Sequence, residues 1–362
     1  MLPYSLALAR MPGISLSMAL EAVRKYGSAK AVFDNAALLP DRAAKAMELH
    51  AAECLEWAQA EQEREAQRGI ALLQYDEDGY PLRLKECSDA PLAVFYRGVD
   101  CINARRMISI VGTRNITEPG KDLCAAFVAE LGRMFPDTVI VSGLAYGVDI
   151  HAHRAALSCG MQTIAVLAHG LDRVYPPTHR DTAEAMCRQG GLLTEYPFGT
   201  RPDKGNFVRR NRIVAGMTDA TVVVESADKG GALITARLAS DYNREVVAFP
   251  GRPTDRYSQG CNNLIKNQEA HLVTCAADVT RILGWKESPA KKADEGVQRE
   301  LFPELTPLQS RICEVLRGSD GILIDRLAIL TDEPVNAVSA ELFELELMGM
   351  VRPVPGGKYK LV

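Results

Sequence analysis

Seven short runs rich in β-branched residues most constrain the fold of this 362-residue chain. They are MISIVG (107–112), TVIVSG (138–143), TIAVLA (163–168), GLLTEY (191–196), TVVVES (221–226), EVVAFP (245–250) and HLVTC (271–275). Stretches with helical spacing, such as 119–135 and 150–160, separate most of them. Apolar strands that alternate with helices are typical of a parallel sheet with both faces covered. We therefore predict an α/β fold built on a Rossmann-like, doubly wound parallel sheet.

The sequence before this core predicts a small helical module. Residues 1–70 have helical spacing, and the turn MPGIS (11–15) resembles that of a helix-hairpin-helix or SAM-like module. Such a hairpin can bind DNA phosphates through backbone N–H groups. Ser15 stands where the commoner hairpin has a second Gly, so a packing role is the alternative. Residues 71–285 are the predicted Rossmann-like domain, in which 71–106 adds an edge strand or two.

The sequence after the core predicts a linker and a winged helix. Residues 286–304 mix charge, Pro and Gly without apolar periodicity, as linkers do. Residues 305–362 show three helical patterns closed by a Gly-Gly hairpin, which is the winged-helix order. Residues 301–362 carry six Lys or Arg against nine Asp or Glu. The third helix has only acidic charge, at Glu341, Glu344 and Glu346. Phosphates would repel it, so we predict a protein-interaction or packing module.

Composition narrows the classes of function. A net charge of −4 gives no global attraction to nucleic acid, so such binding requires a local patch. No uninterrupted run of 18 apolar residues is present, and no membrane span is predicted. The nine cysteines include no C-x-x-C pair, and most lie in apolar runs, where reduced thiols pack as small hydrophobes. We therefore predict a cytoplasmic protein.

Three predicted strands end in turns suited to binding anions. Arg114 follows the first strand, Ser142 and Gly143 end the second with Gly147 before the next helix, and Lys229 precedes a Gly-Gly pair. Open parallel sheets bind ligands beyond the carboxyl ends of their strands, and helix N-termini there attract anions. These residues predict a phosphate-binding face. The alternative is that the glycines only shape tight turns.

The same search finds no signature of catalysis. The chain lacks G-x-x-x-x-G-K-[ST], and no G-x-G-x-x-G opens the first helix of the core. His151 and His153 would point to different faces of a helix, which argues against a shared metal. No nucleophile elbow is present. We predict no catalytic residue, no metal and no cofactor.

Positive charge is concentrated between 201 and 212, where five of twelve residues are Lys or Arg. This segment connects GLLTEY to TVVVES, on the side of the sheet that carries the phosphate loops. Cations beside a phosphate site can follow a DNA backbone while a ring stacks on a base, which favours single strands. The alternative is a solvated basic loop. The candidate residues are Lys204, Asn206, Phe207, Arg209, Arg210, Asn211 and Arg212.

Several long motifs in series resemble the DNA-processing protein A (DprA, or Smf) family. They are VGTR, SGLAYGVDIHAH, LDRVYPPTH, GNFVRRNRIVAG, KGGALITA and FPGRPTDRYSQGCNNLI, in the family's order. The resemblance implies a protein that binds and protects incoming single-stranded DNA, loads the RecA recombinase during natural transformation, and dimerises through its Rossmann domain. It also implies DNA contacts at Arg114, Lys204 and Phe207, the positions that the charge and stacking argument had reached.

Three other functions compete with this prediction. Related phosphoribohydrolases use P-G-G-x-G-T-x-x-E, but aligning their Gly-Gly on Gly230 and Gly231 places Arg237 at the catalytic Glu. A winged-helix protein that reads duplex DNA is the second alternative, opposed by the acidic third helix. The third is a scaffold for recombination proteins, which would have no DNA affinity of its own.

Overall fold

The protein was described from a computed structural model, which covers residues 2–286, 305–317, 319, 321–347, 350–354 and 358–361. The chain forms two compact units, one up to Ser288 and one from Pro289 onward. The predicted linker 286–304 lies outside the described residues except for Lys286. Each unit is described by itself.

The N-terminal segment is helical, as its spacing predicts. Ser15 caps the second helix by accepting a hydrogen bond from Met18 N at 3.2 Å, and Gly27 ends it in the left-handed conformation. Leu8 and Leu20 belong to the same buried core as residues of the sheet, so the module and the sheet form one unit. The helices are α1 (Tyr4–Arg10), α2 (Leu16–Tyr26), α3 (Ala29–Asp34) and α4 (Asp41–Ala66), with a 3₁₀ turn at Ala36–Leu38.

The core is a nine-stranded, mostly parallel sheet in which all seven predicted strands are confirmed. The strands are β1 (Ala71–Gln74), β2 (Ala93–Gly98), β3 (Arg106–Val111), β4 (Thr138–Ser142), β5 (Thr163–Val166), β6 (Gly191–Thr194), β7 (Ala220–Val223), β8 (Glu245–Ala248) and β9 (His271–Leu272). Their order is β1-β2-β6-β5-β4-β3-β7-β8-β9. Strands β1 and β2 pair antiparallel at one edge, which confirms the edge strands predicted within 71–106.

Helices cover both faces of the sheet because its strands are apolar on both sides. Ile108 and Ile110 pack with α6, α7 and α12, whereas Met107 and Val111 face the core that includes α9 and α10. This alternation is the two-residue period of a strand. The helices of the core are α5 (Leu82–Lys85), α6 (Glu118–Met134), α7 (Val148–Ser158), α8 (Arg180–Gln189), α9 (Lys204–Gly216), α10 (Gly231–Asp241), α11 (Gln259–Lys266) and α12 (Ala276–Ile282), with a 3₁₀ turn at Pro177–His179.

The strand order reverses at β3. Strands β4, β5 and β6 follow it on one side, and the chain then crosses to the other side of β3 to form β7 and β8. The loops that leave β3 and β7 therefore diverge and open a crevice at their carboxyl ends. This is the position at which the sequence predicts a phosphate-binding face.

The second unit has the winged-helix order that the sequence predicts. Thr306 and Gln309 form a capping box at its first helix, and Ile312, Leu327 and Leu342 share a small core. The predicted Gly-Gly turn at Gly356 and Gly357 lies outside the described residues. The elements are α13 (Pro307–Leu316), β10 (Ile322–Leu323), α14 (Ile324–Thr331), α15 (Val335–Leu347), β11 (Val351–Val354) and β12 (Lys358–Leu361).

Candidate nucleic-acid interface

A cleft of about 300 Å³ opens at the reversal of strand order, and we call it the switch-point cleft. Three loops and one helix build it: the loop after β3, the loop after β4, the loop after β7, and α9. Because parallel strands bring their carboxyl ends to one edge, residues more than 100 positions apart in sequence meet here. Its lining includes Gly112–Asn115, Gly143, Ala145, Asp149, Phe207, Val208, Arg210, Asn211, Ala227, Gly230, Gly231, Ala232, Ile234 and Thr235.

The basic segment is a helix, so its interpretation as a loop is wrong. Helix α9 begins at Lys204, and the side chain of Asp203 caps it by accepting a hydrogen bond from Gly205 N at 2.7 Å. In a helix, residues three, four and seven apart share a face. Phe207, Arg210 and Asn211 accordingly face the cleft, together with Val214. Helical geometry therefore selects which members of the segment meet at the site.

Arg210 forms part of the buried floor of the cleft. Its side chain is only 3% exposed, and its Nη1 donates to Val166 O at 2.8 Å. Gly143 makes room for it, since a Cβ there would lie 1.7 Å from Nη1. Asp149 accepts a hydrogen bond from Gly143 N at 3.1 Å, and burial raises its pKa against the opposing charge of Arg210. These groups fix the shape of the loop after β4.

Two predicted site residues lie away from the cleft. Arg212 is buried and pairs with Glu195, and it also donates to Asp89 O. Ser142 is buried at the end of β4, where its Oγ donates to Ile110 O at 2.6 Å. Both hold the scaffold, because their polar atoms already have partners inside the protein.

An aromatic and cationic cluster forms the exposed rim of the cleft. The guanidinium of Arg114 lies 5.4 Å from the centre of the half-buried Phe207 ring, and the centre of the Tyr175 ring lies 5.9 Å from that of Phe207. Tyr175 is 44% exposed. It stands in the LDRVYPPTH motif, but the sequence argument did not select it. The available signal was an aromatic residue between Arg173 and Arg180, in the stretch that follows β5.

Three of the predicted cations are exposed. Lys204 and Arg209 are exposed on α9, and Arg114 is exposed after β3. Within the described residues, none of the three takes part in an ion pair with a carboxylate. Asn206 is half-buried, and its carbonyl accepts a hydrogen bond from the Tyr196 hydroxyl at 3.4 Å. Arg114 and Lys204 therefore offer positive charge without an ion-pair partner among the described residues, whereas the charge of Arg209 opposes the rise that burial causes in the pKa of Glu195.

The predicted glycines have different roles. Gly147 adopts a φ of +77°, and a Cβ there would lie 2.0 Å from Thr113 O, so it lets α7 approach the loop after β3. Gly231 begins α10 with open space around it and no side-chain cap on the helix. The uncapped N-terminus of α10 is thus presented to the cleft, where it favours an anion. Lys229 is exposed just before it.

The sequence model of the family DNA recombination-mediator protein A matches residues 71–284, and that of the DprA winged helix domain matches residues 299–357. The chain belongs to the DNA recombination-mediator protein A family. Protein Smf of Synechocystis is 32% identical over 333 residues, which are 82% of this chain and 82% of that protein.

Two solved structures of the DNA processing protein A family resemble this one. DNA processing protein A from Streptococcus pneumoniae matches with a TM-score of 0.67 and 31% identity, over 77% of this chain and 97% of that one. The protein from Helicobacter pylori, studied for its single-stranded DNA binding mode, matches with a TM-score of 0.53 and 28% identity, over 59% of this chain and 95% of that one. The fold and the order of the motifs are therefore those of this family.

The histidines of the family motif serve packing. His153 is buried, its Nδ1 lies 2.7 Å from Thr163 Oγ1, and burial lowers its pKa to about 3. His151 lies on a different face of α7 and is half-buried. Nowhere in the described part of the chain do three His, Cys, Asp or Glu side chains gather as a metal site requires.

Among the described helices, none combines the length and hydrophobicity of a membrane span.

The position that a phosphoribohydrolase would use for its catalytic Glu lies elsewhere. Arg237 sits on α10, is 71% exposed and lies 4.0 Å from Glu269, and it does not line the switch-point cleft. The carboxylate that does line the cleft, Asp149, is held by backbone N–H groups.

In the winged helix, Glu341 accepts a hydrogen bond from Gln309 at 2.6 Å, and Glu344 and Glu346 are exposed.

Proposed function

We propose that this member of the family binds single-stranded DNA at the switch-point cleft. The observation that carries the proposal is the cluster of Arg114, Phe207 and Tyr175 at the rim, beside the uncapped N-terminus of α10. Exposed rings stack on bases, and unpaired cations follow the phosphates. A duplex hides its base faces, so the cluster favours single strands.

The phosphate contacts come from the residues that remain accessible. Lys204 and Arg209 are exposed on α9, Arg114 is exposed after β3, and Lys229 is exposed just before α10. Asn206 and Asn211 add neutral hydrogen-bonding groups at the same helix. The relative from Helicobacter pylori was studied for its binding of single-stranded DNA, which supports the same ligand class here.

The test is binding of a labelled oligonucleotide, single-stranded against duplex, across a salt series. If three to five phosphates are neutralised, log K falls against log salt with a slope of roughly −2 to −3.5 for single strands. Lys204→Ala flattens the slope, whereas Phe207→Ala weakens binding and leaves the slope unchanged. Phe343→Ala is the matched control, because Phe343 is an exposed Phe of the winged helix. Equal affinity for duplex and single strands would refute the stacking argument.

We further propose that the protein protects incoming single-stranded DNA, loads RecA onto it during natural transformation, and acts as a homodimer in the cytoplasm. The family resemblance supports these roles, and all nine cysteines are free, as in a reducing compartment. The test is RecA filament assembly on single-stranded DNA coated with a single-strand binding protein. No acceleration of assembly by this protein would contradict the loading role, and a monomeric mass in solution would contradict the dimer.

We infer that the protein has no catalytic role of its own. A phosphoribohydrolase needs a carboxylate where Arg237 stands, and a cation cannot act as the general base. Incubation with nucleoside 5′-monophosphates tests this, and release of free base would overturn it. A winged helix that reads duplex DNA is the other alternative, and the exposed Glu344 and Glu346 disfavour it. Duplex binding lost on deletion of 305–362 would revive it.

A further inference from the structure

A second basic cleft of about 440 Å³ runs beside α8, and we call it the α8 cleft. Its lining combines residues of β2, the loop after β5 and α8 itself. Four arginines contribute to it: Arg97, Arg173, Arg180 and Arg188. All four are exposed.

The charge of this cleft is not balanced by the protein. Its lining has two carboxylates, Asp172 and Glu184, against four arginines. Asp172 pairs with Arg173 at 2.6 Å. The other three arginines have no ion pair within the described ranges. Arg180 is also the first residue of α8, where the helix dipole disfavours a cation. Stability of the fold does not explain this set of charges, whereas a bound polyanion does.

One short stretch of chain joins the two clefts. The ring of Tyr175 contacts Phe207 at the switch-point cleft, while the two residues before it, Arg173 and Val174, line the α8 cleft. The loop after β5 therefore lines the α8 cleft and contacts Phe207 of the switch-point cleft. From there Arg180 and Arg188 lie eight residues apart, or about 12 Å along the helix. At about 3.4 Å for each stacked nucleotide, this distance spans three or four nucleotides.

We propose that the α8 cleft holds the sugar-phosphate backbone of the same DNA strand after it leaves Phe207. The inference rests on the proposed function, because it extends the path of that strand. Arg180 and Arg188 contact phosphates and carry no base specificity. Tyr175 lies at the bend between the two clefts and supplies a second stacking surface. The binding site is thus longer than the switch-point cleft alone.

The first test compares a short and a long oligothymidylate, of about six and about twenty nucleotides, across a salt series. The variant is Arg180→Gln combined with Arg188→Gln. For the long strand it lowers the magnitude of the salt slope by about 1.4, since each lost contact contributes about 0.7. Binding of the short strand is unchanged. The control removes two exposed cations that have no ion pair among the described residues, Arg105→Gln just before β3 with Arg133→Gln near the end of α6, and changes neither slope.

The outcomes separate this inference from the function on which it rests. Equal behaviour of the α8 variant and the control overturns the α8 cleft as a DNA path, while wild-type binding keeps the proposed function. An equal loss of affinity for short and long strands also overturns the α8 cleft as a DNA path, because the two arginines then affect binding at the switch-point cleft. If the wild type binds neither strand, the proposed function itself fails.

A second test uses the wild-type protein and needs no arginine variant. Cys187 lies in the α8 cleft and is half-buried, whereas Cys159 is exposed at the end of α7. The long oligothymidylate slows modification of Cys187 by a small thiol reagent at least several-fold, and the short one does not. Cys159 reacts at the same rate throughout. Unprotected Cys187 under saturating long strand refutes the path.

Discussion

Arg212 belongs to the basic segment in sequence but serves stability in the structure, and its replacement tests this assignment. Its side chain is 7% exposed and that of Glu195, its partner, is 13% exposed. Arg212→Met leaves a buried carboxylate without its counterion, which costs about 3–5 kcal/mol in the free energy of unfolding. For a unit of this size the melting temperature falls by about 6–10 °C.

The assay is thermal unfolding, followed by DNA binding well below the melting temperature. The folded fraction of Arg212→Met keeps the single-strand affinity and salt slope of the wild type, because Arg212 does not line the cleft. Burial already raises the pKa of Glu195, and loss of Arg212 raises it further. Protonation then removes the buried charge, so the stability deficit is smaller at low pH. The double variant with Glu195→Gln recovers stability.

The reverse pattern would contradict a purely structural role for Arg212. A variant that melts within about 1 °C of the wild type but loses affinity and salt dependence would make Arg212 a phosphate contact. The same holds if Glu195→Gln fails to recover the stability of Arg212→Met. Lys204→Ala is the comparison for a proposed phosphate contact, since Lys204 is exposed and unpaired within the described residues.

Three further predictions concern single positions. Tyr175→Ala weakens single-strand binding by roughly 1–3 kcal/mol without changing the salt slope, whereas Tyr175→Phe keeps the ring and the affinity; equal loss in both would exclude stacking. Gly143→Ala places a Cβ 1.7 Å from Arg210 and destabilises the protein by about 1–3 kcal/mol, while Gly231→Ala, with open space around it, leaves the melting temperature unchanged. Burial, with the charge of Glu61 in addition, raises the pKa of Glu65 to about 7. The folded protein therefore binds the Glu65 proton more tightly than the unfolded chain does. The resulting stability is fully present below the ordinary carboxyl pKa and is lost as pH rises through about 7. Glu65→Gln removes that loss in a series of melting temperatures from about pH 5 to 8, and an unaltered pH profile would contradict it.

Hydrophobic periodicity was enough to predict most of the architecture. Six buried strands, β3 to β8, alternate with helices in sequence, and their burial on both faces makes each of them continuously apolar. The seventh, β9, is exposed at the edge of the sheet. The edge pair β1 and β2 and the winged-helix order were also predicted correctly. The predicted domain boundary at residue 70 does not separate two hydrophobic cores, because the apolar faces of the helical module and the sheet combine into one core.

The state of the basic segment was harder to predict from its sequence. The segment Lys204–Gly216 contains two glycines and two asparagines, which weaken the helical pattern. Even so, Asp203 caps the helix and packing on the sheet stabilises it. Once the segment is helical, Phe207 and Asn211 fall on the cleft face and Arg212 on the buried side. A linear count of charges cannot make that distinction, because it ignores the helical period.

The residue types of the candidate site, and the strand ends that carry them, can be read from the amino-acid order. Glycines, cations and one aromatic residue near the strand ends predict a phosphate-binding face, because parallel strands end at the same edge of a sheet. Which of these cations remain available to a ligand depends on how the chain folds. It buried Arg210 and Arg212 against a carbonyl and a carboxylate, left Arg114 and Lys204 exposed, and brought Tyr175 against Phe207. The physical reason is that burial and pairing depend on contacts between residues distant in sequence.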